Sequence, residues 1–348
     1  MTSAAEHPIP DIPATTAISS IDSEGISLHV KTWLVPKDIP FRAKILFNHG
    51  FCDSAENFDD VFPEIAVRGY EVICFDQRGA GKTSPGKLFA ITNERLVYVD
   101  LDKVIETVTK DYDGKIFLAG HSMGGGITLN YGIIGKYRER IDGYLAYAPL
   151  VLLHEKTRPG IILRTGVKFL AKYLPKVRSK TGLNLDYITT DQERIKFLKA
   201  NPKRIEATGP QMAAMLDRGE KLVEVDFVEN FVDKPVACFH GTGDLINAFR
   251  GTAQFFDLLK VSDKKLYSYP EYYHDLFHET RERVEHLLND TFEWLDAHTS
   301  TGNVEETQKE SAKVVEAAEK VQHEGPPEAE PITQAEPTTE AEPTTVSA

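Results

Sequence analysis

Apolar residues along this 348-residue chain fall into short, regularly spaced blocks. Residues 26–36, ISLHVKTWLVP, alternate apolar and polar positions, which predicts a half-buried strand. Four further runs, 42–50 (RAKILFNHG), 70–79 (YEVICFDQRG), 115–120 (KIFLAG) and 143–153 (GYLAYAPLVLL), are rich in Ile, Val, Leu and Phe, and the first three close on Gly. Strands covered on both faces read this way, because neither face meets water. Helical spacing fills the gaps, notably over 94–112 and 124–137. Strands alternating with helices predict an α/β fold: a mostly parallel central sheet, right-handed crossovers and helices on both faces.

The rhythm stops after residue 153. Residues 154–231 carry helical patterns but no convincing strand. It resumes with KPVACFHG (234–241), a helix near 248–260, KKLYSYP (264–270) and a closing helix over 279–298. The simplest account is one core, residues 21–153 and 232–300, interrupted by a helical cap at 154–231. Residues 1–20 are Pro-rich and polar and read as a mobile leader. Residues 301–348 differ in kind: Ala-Glu-Pro recurs at Ala329, Ala335 and Ala341, and aromatics are absent. Such a segment cannot bury enough apolar surface to order itself and is expected to be a solvated acidic tail.

Charge and cysteines narrow the class. The net charge of −13 is uneven, since from residue 303 onward eleven acidic residues face three lysines, a balance of −8 that leaves −5 for the rest. No basic, aromatic-interleaved stretch points to nucleic acid. Cys52, Cys74 and Cys238 are an odd number without close spacing, which fits reduced thiols in an intracellular protein better than a disulfide framework or a zinc site. The first residues lack the charged and apolar regions of a secretory signal. No apolar run approaches the ~18 residues of a spanning helix, so the expectation is a protein not integral to a membrane, though compatible with lying on one.

The chemistry is carried by Gly120-His121-Ser122-Met123-Gly124. A G-x-S-x-G match arises by chance roughly 0.1 times in a chain this long, so its setting decides its weight. KIFLA before it predicts a strand and GGGITLNYGIIGKY after it a helix. A sharp strand-to-helix turn lifts the serine hydroxyl clear of the sheet, and glycines at 120 and 124 avoid collisions across the turn.

A serine hydroxyl is a weak nucleophile and needs a base, itself oriented by a carboxylate. In this kind of fold the order along the chain is Ser, acid, His. The strand VACFHG runs into Thr242-Gly243-Asp244, and LYSYP runs into Glu271-Tyr272-Tyr273-His274. Asp244 and His274 are therefore expected in adjacent loops at the carboxyl edge of the sheet, where ligands bind. The nearest rivals are His240 and His278 as bases and Asp233, Asp257 and Asp275 as acids. His240 ends its strand, which favours a structural role, and His278 is expected on the following helix. His274 and His278 have the i, i+4 spacing of metal ligands, but no Glu follows His274 as in H-E-x-x-H. Neither metal nor cofactor is expected.

Acyl transfer also needs donors for the developing oxyanion, each worth about 3–4 kcal/mol of transition-state stabilisation. The amide of Met123, directly after the nucleophile, is one candidate. The amide of Phe51, in the loop after strand 44–48, is the other, with His49 bracing that loop. The run Asp76-Gln77-Arg78-Gly79-Ala80-Gly81 lacks phosphate-loop spacing and reads as a structural turn near the site.

With these residues in view, the chain resembles the fungal monoacylglycerol lipases of the α/β-hydrolase superfamily. The resemblance spans about residues 20–300, through NHGF, FDQRGAGKTSPG, GHSMGGG, the TGLNL and ITTD stretches, HGTGD and the Tyr-His segment. It implies a cap over the active site that carries an acyl-chain tunnel and touches lipid, a triad of Ser122, Asp244 and His274, and oxyanion amides at Phe51 and Met123. It implies hydrolysis of long-chain monoacylglycerols to glycerol and fatty acid. It further implies a cytoplasmic enzyme held peripherally at lipid droplets or the endoplasmic reticulum membrane. The sequence adds its own support for lipid contact. Residues 162, 163, 167, 169, 170, 173 and 174 share one broad helical face, and residues 154–186 hold eight basic residues against two acidic ones. A lysophospholipase, a broad carboxylesterase or acyltransferase, and a catalytically silent lipid-binding scaffold remain alternatives, as does a protein partner for the acidic tail.

Overall fold

The computed structural model describes residues 15–160, 166, 167, 169, 171–200 and 205–299. The acidic repeat and part of the predicted lipid-facing helix over 162–174 (residues 162–165, 168 and 170) lie outside them.

Alternate residues of each central strand go to opposite sides. In β3 (Ala43–Asn48), Ile45 and Phe47 join one apolar cluster while Leu46 joins the other. In β4 (Tyr70–Phe75), Val72 and Cys74 oppose Ile73 and Phe75. The same division holds in β5 (Ile116–His121) and β6 (Gly143–Tyr147). Both sides are apolar because both are covered: α1 (Phe62–Ala66) contributes to one cluster, and α2 (Glu94–Thr109) and α3 (Met123–Ile134) to the other. α3 shows no amphipathic stripe, since eleven of its twelve residues are buried.

Two antiparallel strands, β1 (Thr16–Ser23) and β2 (Ile26–Trp33), open the sheet. Its order is β1-β2-β4-β3-β5-β6, and every pairing from β4 onward is parallel. β1 takes in residues 16–20 of the leader expected to be mobile, while residues 1–14 lie outside the described residues. Only Ile21 and Ser23 of its eight residues are buried, so this edge strand carries almost no alternation to read. What holds it is the continuous ladder to β2 and the bond from Ser23 Oγ to Asp100, 2.6 Å.

An insertion follows β6. It holds β7 (Arg178–Lys180) and β8 (Glu206–Thr208), an antiparallel pair, with α4 (Gln192–Ala200), α5 (Gly209–Lys221) and the short α6 (Val225–Val228). The two strands correct the expectation of a strandless segment; three-residue, mostly polar strands leave no periodicity. The insertion is tied to the core by Thr208 Oγ1, which donates to Ala90 O at 2.8 Å, and by the ion pair of Arg218 with Glu94, in which Arg218 is only 3% exposed.

The sheet then completes itself with β9 (Val236–Gly241) and β10 (Lys264–Tyr269), both parallel, extending the order β6-β9-β10. α7 (Phe249–Leu258) connects them, and α8 (Arg281–Thr299) closes the chain onto the face already held by α1. Cys74 and Cys238 belong to the clusters on opposite faces of the sheet, and burial pushes both thiols up, Cys238 to about 12. Among the described residues no helix is long and apolar enough to cross a membrane.

Candidate active site

The turn from β5 into α3 puts Ser122 at φ 56°, ψ −117°, a left-handed conformation that costs a non-glycine residue about 1–3 kcal/mol. Backbone bonds hold it there: Ser122 N–H donates to Tyr147 O (2.9 Å), and Ser122 O accepts from Gly126 (3.0 Å) and Leu150 (2.8 Å). The flanking glycines are required by contact. A Cβ at Gly120 would lie 2.4 Å from Gly124 O, and one at Gly124 only 2.0 Å from Asn48 O.

Ser122 stands at the carboxyl edge of β5. The loops after β9 and β10 bring the other two residues to it. His274 Nε2 lies 2.9 Å from Ser122 Oγ, and His274 Nδ1 lies 2.7 Å from Asp244 Oδ2. All three side chains are nearly buried, at 8%, 6% and 2% exposure for Ser122, His274 and Asp244. Asp244 Oδ1 accepts the N–H groups of Ile246 (2.7 Å) and Asn247 (2.9 Å), while Oδ2 also faces His240 Nε2 at 3.2 Å. Burial alone would raise its pKa, but His274, His240 and their hydrogen bonds hold the carboxyl well below the usual carboxylate range. A carboxylate at Nδ1 requires the proton on that nitrogen, which leaves Nε2 unprotonated and able to accept the serine proton.

The neighbours brace this line. His121, whose pKa is lowered by burial and by His274, donates from Nε2 to His274 O at 3.0 Å. His240, the rival base, is fully buried beside the acid, with Nδ1 2.8 Å from Thr252 Oγ1. Asp233 accepts from Ser262 N–H, away from Ser122, and Asp275 pairs with His278. His278 ends a 3-10 turn, Leu276–His278, instead of riding on α8, because α8 begins only at Arg281.

The loop after β3 closes the other side. A Cβ at Gly50 would sit 3.4 Å from both Ser122 Cβ and His121 Nδ1, so this loop packs directly on Ser122. His49 bridges from Gln77 N–H, accepted at Nε2 (3.0 Å), to Gly50 O, reached from Nδ1 (2.8 Å). Gln77 returns a bond from Nε2 to His49 O at 2.7 Å. Asp76 accepts the N–H groups of Ala55 (2.8 Å) and Lys82 (2.6 Å), so the segment from Asp76 to Gly81 is a turn closed by its own aspartate. Phe51 follows Gly50 in this loop, and Met123, directly after Ser122, has its N–H in the first turn of α3, where helix amides lack intrahelical acceptors. Sequence reasoning passed over His121 and named Asp275 and His278 only as a rival acid and a rival base, whereas the structure pairs them with each other.

Comparison with known proteins agrees with this architecture. The family described as "Serine aminopeptidase, S33" matches residues 39–281. The chain is 38% identical over 270 residues to a monoglyceride lipase of Saccharomyces cerevisiae, covering 75% of this chain and 86% of that protein. It is 25% identical over 278 residues to a monoacylglycerol lipase of Mycolicibacterium smegmatis, covering 79% and 94%. Among solved structures, a soluble variant of the S. cerevisiae monoglyceride lipase in complex with a substrate analog superposes with a TM-score of 0.79 at 34% identity, covering 85% of this chain and all of that one. The chain therefore belongs to the serine aminopeptidase S33 family of α/β-hydrolases, with monoglyceride lipases among its relatives.

Proposed function

We propose that this chain is a serine hydrolase that cleaves long-chain monoacylglycerols to glycerol and free fatty acid. The observation that carries the proposal is the continuous hydrogen-bonded line from Ser122 Oγ through the His274 ring to Asp244, 2.9 and 2.7 Å, at the mouth of a strained strand-to-helix turn. The choice of substrate is supported by the 38% identity to the yeast monoglyceride lipase.

In this reading Ser122 Oγ attacks the ester carbonyl as His274 Nε2 takes its proton, and Asp244 stabilises the imidazolium through Nδ1. The Phe51 and Met123 amides bind the oxyanion. His274 then gives the proton to the departing glycerol oxygen, leaving the acyl chain on Ser122. Water enters, loses its proton to the same nitrogen and releases the fatty acid.

The insertion is read as a cap that meets a lipid surface. Phe169, Tyr173, Leu174 and Val177 are 44–58% exposed, with Lys172 and Lys176 between them. Apolar side chains interleaved with cations suit the boundary between acyl chains and anionic headgroups. Peripheral residence at lipid droplets or the endoplasmic reticulum membrane follows as part of the same proposal.

The test is a panel of mono-, di- and triacylglycerols, lysophosphatidylcholine and an aminoacyl amide, each offered to the wild type and to Ser122→Ala. The monoester should have the highest kcat/KM, and Ser122→Ala should abolish its turnover. Preference for triacylglycerol, for the lysophospholipid or for the amide would contradict the substrate assignment.

A further inference from the structure

His274 is followed at once by a second, independent charge pair. Asp275 Oδ2 lies 2.8 Å from His278 Nδ1, and His278 Nε2 lies 2.8 Å from the carbonyl oxygen of Asn57. The His278 side chain is 3% exposed and that of Asp275 13%. A carbonyl oxygen only accepts, so Nε2 must carry a proton, and the Asp275 carboxylate accepts a hydrogen bond from Nδ1–H. With both ring nitrogens donating, His278 is an imidazolium. His274 is the reverse case, because its Nε2 faces a hydroxyl able to donate. Burial opposes the charge on His278, but Asp275, its hydrogen bond and Asp60, 3.4 Å from Nε2, raise its pKa; burial likewise opposes the charge on Asp275, and His278 outweighs it.

The pair sits where three segments meet. Asn57 belongs to the 3-10 turn Ala55–Phe58 that continues the loop bearing Phe51. From the insertion, Ile188 O accepts Asp275 N–H at 2.7 Å and Thr189 Oγ1 donates to His278 O at 2.9 Å. Glu279 accepts from Tyr273 N–H (2.9 Å) and Thr190 N–H (3.2 Å), so the base's loop is tied on both sides of His274.

We propose that Asp275 and His278 are positioning residues for His274, a buried ion pair that fixes its loop against the Phe51 loop and sets the field in which its imidazole gains a proton. The proposal rests on the reading of Ser122, His274 and Asp244 as the triad. Other charged or titratable groups facing the pair are Asp60 and, from α4, Arg194, whose charge opposes that of His278. On the base's side stand Asp244, His240 and His121, and the field of Asp53 reaches His121. Asp275 directly follows the base in the chain, and its field favours the charged form of His121, whose ring centroid is 5.0 Å from that of His274. Removing the cation alone leaves a carboxylate that favours imidazolium at 274. Removing the carboxylate alone disfavours it.

The experiment follows the second-order rate of fluorophosphonate inactivation against pH for the full-length wild type, H278Q, D275N and the double variant. In H278Q the ascending limb should move to higher pH by roughly 0.5–1 unit, the size expected of one charge at partly screened short range. In D275N it should move to lower pH, and in the double variant it should return to within about 0.3 unit of wild type. A merely structural brace would lower the plateau of the single variants and leave the limbs in place. Unshifted limbs, or single variants shifted in the same direction, would overturn the proposal. If H278Q does not fold, D275N alone decides by the sign of its shift, and no shift or an upward one overturns the proposal. Labelling as rapid in Ser122→Ala as in the wild type would instead defeat the triad reading, whereas Ser122-dependent labelling with unshifted limbs defeats the positioning pair alone.

Discussion

His274 Nε2 meets Ser122 Oγ at 2.9 Å across 152 residues of sequence. The sheet makes this meeting cheap. Ser122 follows β5 and His274 follows β10, and only β6 and β9 stand between those strands. Because β5, β6, β9 and β10 are parallel, all of them end at one edge, and the loops that leave that edge share one rim. Asp244, on the loop after β9, falls beside His274 for the same reason.

Asp244→Asn should keep the fold and lose the chemistry. The amide is nearly isosteric, but it presents a donor where His274 Nδ1–H needs an acceptor, which favours the wrong tautomer. A fall in kcat of about 10⁴-fold is expected, with thermal unfolding within a few degrees of wild type. Retention of a tenth of the activity would show that the carboxylate is dispensable.

Gly124→Ala should act through the fold. Its methyl group would lie 2.0 Å from Asn48 O, a backbone atom between β3 and the Gly50 loop that has no room to yield. Denaturant titration should give a loss of roughly 3 kcal/mol or more, at the upper end for overpacked sites. A variant within 0.5 kcal/mol of wild type would refute the close-packed turn.

The Asp275–His278 pair should also shape stability against pH. His278 has its folded-state pKa raised above its unfolded value near 6.5, so its contribution is complete below that pH and fades as pH climbs through the folded pKa. Asp275 is depressed, so its contribution is present above its unfolded value near 3.8 and is lost as pH falls through the folded pKa. The difference in Tm between wild type and H278Q should therefore be largest around pH 5–6 and shrink at more alkaline pH. A difference that grows from pH 6 to pH 9 would be inconsistent with a charged His278.

Membrane contact predicts a split between binding and turnover. Replacing Phe169, Tyr173 and Leu174 with alanine removes three exposed apolar side chains, each able to bury area worth about 1–2 kcal/mol in an interface. Sedimentation with anionic vesicles should weaken by at least tenfold, while hydrolysis of a short-chain soluble ester stays the same. Unchanged vesicle binding would remove this face from consideration.

What could be read from sequence follows burial. Ile45, Leu46 and Phe47 go alternately to two apolar faces, and a strand covered on both sides announces itself as a solid apolar run. β1 could not be read, because six of its eight residues are exposed and its stability lies in backbone bonds to β2. β7 and β8 are too short for any period. Ser122, Asp244 and His274 were legible because each follows an apolar strand into a polar turn. The charge of His278 was not: Asp275 is local, but the acceptor that requires the second ring proton, the Asn57 carbonyl, and the nearby Asp60 lie over 200 positions away.

The most direct test of the central claim is the site of covalent attachment. Full-length enzyme treated with one equivalent of a fluorophosphonate and digested should carry the adduct on the peptide containing Ser122. Prior incubation with a monoacylglycerol should slow the labelling, and Ser122→Ala should show none. Stoichiometric attachment at any other residue, with Ser122 unmodified, would contradict the account.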